Sequence, residues 1–433
     1  MQFAAFNEAV DPSSLEGLNF EAICAVEAWN NNNMGRAKER VLTPPAGWVP
    51  PPPPPYSDAL EVPEKEKEPV GKTAAVYPDP AGYQTSEFML GSIAVGIILP
   101  ESDGSIDPET EDWSSSRQSQ VVSEIQAGLN WLDARCPDAN LSFVYDQHLG
   151  VATGYEPINH PHTEAYLWIN DVMDALGYSS GSSISRVRQY DNDLRSSMNT
   201  DWAITIFVVD SYNDPDCAFT DGWFAFAYRG GPYEVMTYDN EDRGIENMDA
   251  CTAHETAHLF WAYDEYINDY GSCTQNINYL GVENGNYHEC LTDNCLMKHA
   301  HSGYASNLIC SYTSGQIGWR DTDGDHIPDI LDTYPNTNLT VYSPDPTTDY
   351  TPTYRGTAEV SPLDNQIAST RPDLTLNTIS NVQLRVNGGP WFDASPTDAS
   401  FNSGSGRFLP SPPHLRTIIS CWVAGRLPSR SEL

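Results

Sequence analysis

The chain has 433 residues, 22 of them basic and 60 acidic, for a formal net charge of −38. That anionic surplus repels phosphate backbones and anionic membranes, so nucleic acid is excluded as a partner; the length allows two or three domains. No run reaches the roughly 18 apolar residues of a membrane span, so no transmembrane segment is predicted.

Residues 1–88 read as an N-terminal segment and Pro-rich linker. The stretch 19–41 has the composition of a helix, and six consecutive prolines at 50–55 follow it. Proline fixes φ and donates no amide hydrogen bond, so this run predicts a stiff polyproline II spacer. The start, MQFAAFNEAV, lacks the basic and apolar regions of a signal peptide.

Residues 89–320 carry the signals of a packed α/β domain. GSIAVGIIL at 91–99 reads as a buried strand. In the next segment Val121, Ile125, Leu129 and Leu132 form a helical stripe. NLSFVYD is a second strand and TEAYLWINDVMDALGY a second helix, with Gly177 placed as its C-terminal cap. WAITIFVVDS is a third strand. Such alternation implies right-handed crossovers and a largely parallel sheet. Two β-rich runs around Gly230-Gly231-Pro232 then predict a hairpin or sharp corner. Its edge, near 223–229, is suited to pairing with an extended peptide.

CTAHETAHLFWAYDEY, from Cys251 to Tyr266, contains His254-Glu255-Thr-Ala-His258. On a helix, residues four apart share a face, so both imidazoles can reach one zinc ion. Glu255 points off that axis, beside the metal's open position, where it can take a proton from water and deliver it to a leaving amine. Asn247 and Asp249 are cap candidates for this helix, and Ala253, Ala257, Leu259 and Phe260 give it apolar faces.

This stretch resembles the metzincin clan of zinc metallopeptidases, whose extended motif is HExxHxxGxxH or HExxHxxGxxD. The resemblance implies a mixed sheet with an active-site helix, His254 and His258 as zinc ligands, Glu255 as general base and Asp264 as third ligand. DNCLMKHA is similar to the Met-turn, which would put Met297 beneath the metal. Trp261 stands where the family has Gly, at a turn that calls for a positive φ. Glu265, Glu283 and Glu289 are alternative third ligands, and His299, His301 and Tyr304 are candidates to stabilise an oxyanion.

Nine cysteines are present, and four crowd between Cys273 and Cys310. The crowding predicts disulfides and a secreted protein, because no pair has the Cys-x2-Cys spacing of a zinc finger or ribbon.

Residues 321–336 hold a ladder of carboxylates at Asp321, Asp323, Asp325, Asp329 and Asp332. A hard cation taking six to eight oxygens would relieve their mutual repulsion. The stretch DTDGDHIPDILDTYP resembles thrombospondin type 3 repeats, which bind Ca2+. Residues 337–372, rich in Thr, Pro and Asp, read as a linker, and 373–433 as a partial β-sandwich whose tail lacks strand rhythm.

Together these readings predict a secreted Zn2+-dependent endopeptidase acting on protein or peptide substrates, with Ca2+ stiffening the junction to the C-terminal module. An inactive binding or adhesion protein and a zinc hydrolase of non-peptide substrates are the rival readings.

Overall fold

The computed structural model describes residues 59–61, 82–240, 243–267, 271–288, 290–291, 293–340, 343, 354–367, 371–386, 390–397, 405–410 and 419–425. The predicted helix at 19–41, the proline run at 50–55 and Glu289 lie outside the described residues.

The first module is α/β, with a mixed six-stranded sheet. Its strands in chain order are β1 (Ala59–Leu60), β2 (Ser92–Ser102), β3 (Ser142–Thr153), β4 (Trp202–Val209), β5 (Ala225–Tyr228) and β6 (Tyr233–Thr237). They lie side by side as β1-β5-β6-β4-β2-β3. β3, β2, β4 and β6 are mutually parallel, while β5 turns back antiparallel to β6 through the corner at Gly230-Gly231-Pro232.

The two-residue period of a strand sends successive side chains of β2 to opposite faces. Ile93, Val95, Ile97 and Leu99 enter one core, while Ala94 and Ile98 enter the other. Helix α1 (Ser115–Arg135) covers the first face with its predicted stripe, Val121, Ile125, Leu129 and Leu132. Helix α2 (Tyr166–Ala175) and helix α3 (Ser183–Met198) cover the second. Helix α4 (Met248–Leu259), which carries the histidine pair, lies beside α1 on the first face, and all its residues are buried. Gly128 of α1 makes this approach possible, because a Cβ there would sit 2.4 Å from the Asp249 carbonyl oxygen.

The edge expected to receive an extended peptide is partly covered. β1 pairs in parallel with β5, Ala59 opposite Ala227 and Leu60 opposite Tyr228, and the Arg229 amide donates to the Leu60 carbonyl at 2.8 Å. The covering strand comes from the chain's own N-terminal segment, in which two residues between polar neighbours gave no strand rhythm to read.

The second module is a six-stranded sheet ordered β12-β9-β10-β11-β8-β7. Its strands are β7 (Asn336–Thr340), β8 (Arg355–Glu359), β9 (Ile379–Val386), β10 (Trp391–Pro396), β11 (Ser405–Pro410) and β12 (Ile419–Gly425). β7 overlaps the start of the 337–372 stretch read as a linker and β8 lies within it, and β12 falls in the tail read as lacking strand rhythm. In β8 the inward positions are Gly356 and Ala358, too small to register as an apolar alternation.

The two modules are joined by direct hydrogen bonds. Tyr279 Oη accepts from the Leu374 amide at 2.9 Å and lies 3.0 Å from the Leu363 carbonyl, and the Gln366 amide donates to the Tyr279 carbonyl at 2.9 Å. Among the described residues no helix is long and apolar enough to cross a membrane.

Candidate metal centre

Helix α4 ends in a tight reversal. The Trp261 amide donates to the His258 carbonyl at 2.9 Å and the Ala262 amide to the Ala257 carbonyl at 3.0 Å. This is the paired bonding of a Schellman cap, whose left-handed position normally holds glycine. Here Trp261 occupies it with φ at +79°. The reversal brings Asp264 back toward the helix it has just left, to within 3.1 Å of His258 Nε2.

His254, His258 and Asp264 meet as a consequence, all buried. The two Nε2 atoms lie 3.1 Å apart, and Asp264 Oδ1 is 3.1 Å from His258 Nε2 and 3.4 Å from His254 Nε2. A tetrahedral metal with bonds near 2.0–2.1 Å separates its ligand atoms by about 3.3 Å, so the triangle has the size such an ion imposes.

The outward nitrogens are anchored. His254 Nδ1 lies 3.1 Å from the Leu296 carbonyl and His258 Nδ1 2.9 Å from the Ala262 carbonyl. A carbonyl only accepts, so each Nδ1 carries a proton and each Nε2 faces inward, where its lone pair is available to a metal once that nitrogen is deprotonated. Two lone pairs and a carboxylate converging at this range repel one another, and a divalent cation among them reverses that balance. Burial raises the Asp264 carboxyl, but in the metal-free site the positive charge of protonated His258 and His254 and their hydrogen bonds outweigh it and hold it well below the usual carboxylate range, so the site favours the anion wherever a cation faces it.

Glu255 is buried on α4, rotated about 100° from His254. Glu265, the adjacent alternative ligand, turns away from the imidazoles. Its carboxylate accepts from Thr313 Oγ1 at 2.8 Å and Asn286 Nδ2 at 2.6 Å, and its amide donates to the Met297 carbonyl at 2.9 Å. It ties the Asp264 loop to the fully buried Met297 turn. Glu283 is exposed and takes no part in the triad.

Of the oxyanion candidates, His299 is exposed and Tyr304 is stacked on Trp131 at 4.8 Å. His301 is the one close enough to feel His254. Burial first, then the charges of Arg243 and His254, push its imidazole down to about 4.

Three contributors escaped the sequence reading. The carbonyls of Leu296 and Ala262 have no sequence signal, since every residue carries one. Tyr266, stacked parallel to His254 at 6.5 Å, was legible only as part of an unusual Asp-Glu-Tyr run.

In the carboxylate ladder, Asp321, Asp323 and Asp325 gather with oxygens within 4.8 Å of one another. Asp329 faces Arg320 Nε at 2.6 Å and Thr322 Oγ1 at 2.7 Å instead. Asp332 is raised by burial and by the charges of Asp325, Asp323, Asp329 and Asp321, and its carboxylate is not among the oxygens that gather with the trio. Cys273 and Cys290 form a disulfide.

No family model matches the chain, and no curated protein matches it.

Proposed function

We propose that the protein is a zinc-dependent peptidase of metzincin-like design, with His254, His258 and Asp264 as ligands and Glu255 as general base. The observation that carries this reading is the triangle of inward-facing donor atoms with sides of 3.1, 3.1 and 3.4 Å, each imidazole locked from behind by a carbonyl. Zinc held there supplies a Lewis acid that polarises a carbonyl and acidifies water.

Glu255 does the proton work. Its carboxylate takes a proton as water adds to the scissile carbonyl carbon, then returns it to the nitrogen as the C–N bond breaks. Burial excludes competing solvent. His301, neutral above about pH 4, can donate to the oxygen that gains charge. An extended peptide has β5 as its natural rail, and it must displace Ala59 and Leu60 to use it.

The same proposal includes Ca2+ on Asp321, Asp323 and Asp325, and a secreted protein, supported by the Cys273–Cys290 disulfide.

Metal analysis and casein hydrolysis on three chains test the reading. Wild type should hold one zinc and cleave casein in a chelator-sensitive way. Glu255→Gln should hold zinc and lose cleavage by at least about a hundredfold, and Asp264→Ala should lose both. A wild type that holds zinc and cleaves no peptide in a diverse library would overturn the peptidase reading.

A further inference from the structure

We propose that Arg371, from the segment entering the second module, is a positioning residue for Asp264: it clamps Trp261 in the left-handed turn between the second and third ligands. The inference rests on the zinc reading above and adds a requirement to it, that the C-terminal module completes the centre.

A left-handed φ crowds the Cβ of any residue but glycine, so Trp261 needs outside support. The indole has two such supports. One is Gly230, where a Cβ would fall 2.3 Å from the indole ring, so the corner between β5 and β6 is cut to admit it. The same Gly230 donates its amide to the His258 carbonyl at 3.1 Å, fixing the corner to the helix end. The other is the Arg371 guanidinium, 4.7 Å from the ring centroid, as a cation over an aromatic face.

Arg371 is itself fixed. It is buried and forms an ion pair with the fully buried Glu87. Its neighbour Pro372 accepts from Gln84 Nε2 at 3.5 Å, and Leu374 is bound to Tyr279. Neither Glu87 nor Tyr279 touches the ligand atoms. Their common effect is to seat one guanidinium over one indole, three residues before Asp264, and Glu87 also reaches the Trp261 side chain directly, so the Glu87–Arg371 pair acts on the indole as a unit. A glycine at 261 would hold this turn without any clamp. The tryptophan and the arginine therefore form a pair, each accounting for the other.

The test is a cycle on the full chain. Arg371→Met alone would strand a buried carboxylate and risks misfolding, so the variant is Glu87→Gln/Arg371→Met, made in wild type and in Trp261→Gly. Zinc affinity is read by competition with a chromophoric chelator. In wild type the double change should weaken zinc by about tenfold or more, the range seen when supporting contacts of a metal ligand are removed. In the Trp261→Gly background it should cost less than about twofold, as for uncoupled sites. Equal losses in both backgrounds would mean that Arg371 serves general stability, and no loss in either would mean that the turn needs no clamp. Either result overturns the proposal.

If wild type takes up no zinc, the metal reading fails and the clamp is decided by hydrogen exchange at the Ala262 amide. Faster exchange in the double variant, abolished by Trp261→Gly, keeps the clamp. Unchanged exchange removes it.

Discussion

Arg229 and His258 share one acceptor: the Ala262 carbonyl lies 2.9 Å from His258 Nδ1 and 3.3 Å from Arg229 Nε. The arginine is buried, stacks on Tyr263 at 4.0 Å and pairs with Glu61 beside β1. It therefore joins the strand edge, the turn after α4 and the orientation of one imidazole. Removing the guanidinium leaves the carbonyl free to tilt, and His258 loses part of its aim. Arg229→Met is expected to weaken zinc binding by about tenfold, as outer-shell changes do. Chelator competition measures it, and an unchanged affinity would show that the cap of α4 alone sets the carbonyl.

Glu61 offers a way to open that edge. Its carboxylate pairs with Arg229 one residue after the two that cover β5. Glu61→Lys places two cations face to face and should loosen the covering strand. The pair is half exposed on the glutamate side, so its contribution is about 1 kcal/mol at most, equal to roughly a fivefold change in occupancy. If the protein is the proposed peptidase and its substrate uses this edge, the strand competes with it without touching a reacting atom, and the gain should appear as a lower KM for peptides with kcat unchanged. Steady-state kinetics on a fluorogenic peptide reads both, and a change in kcat alone would contradict the competition.

Much of this arrangement was readable. β2 and β4 stood out because both of their faces are apolar, and α1 because four aliphatic residues share one side. The histidine pair was legible because its chemistry is local to one helix turn. Other parts were hidden for physical reasons. α3 buries Ile184, Val187, Tyr190 and Leu194 on one side, but Arg, Asp, Asn and Ser dominate its composition and mask the stripe. β8 buries a glycine and an alanine, which carry almost no hydrophobic signal. At Trp261 the sequence predicted a cost for positive φ. The partners that meet that cost lie 31 residues back at Gly230 and 110 ahead at Arg371, separations no local pattern encodes.

The carboxylate ladder divides into groups with different expected behaviour. Asp321, Asp323 and Asp325 converge, whereas Asp329 is engaged by Arg320 and Thr322 and held below its ordinary range by those bonds against the upward push of burial. Asp323→Ala should therefore weaken calcium binding by about tenfold, the loss of one charged oxygen ligand. Asp329→Ala should change calcium affinity by less than about threefold while costing about 1 kcal/mol of stability with or without calcium. Calorimetric titration and thermal scans separate the two effects. A larger calcium loss for Asp329→Ala than for Asp323→Ala would place Asp329 among the ligands.

Away from both sites, Glu101 and Glu111 share a pocket of acids near the end of β2, where burial is the main cause lifting each carboxyl to about 7. Their bonds, from the Trp113 amide at 2.9 Å and the Asn213 amide at 2.9 Å, offset only part of that lift. A raised acid binds its proton more tightly folded than unfolded, so its stabilising contribution is full below about pH 4.5 and is lost as pH rises through about 7. The Tm is expected to fall between pH 5 and pH 8. Glu101 keeps partial solvent contact, which reduces its contribution to about 1 kcal/mol. The proposed zinc ligation would have the opposite slope, since histidines must be neutral to bind, so the informative quantity is a difference. Glu101→Gln should flatten the fall in Tm relative to wild type at constant ionic strength and metal content, because the amide is neutral at every pH in the window. Parallel Tm profiles for the two chains would mean that Glu101 is ionised across that window and that burial does not govern it.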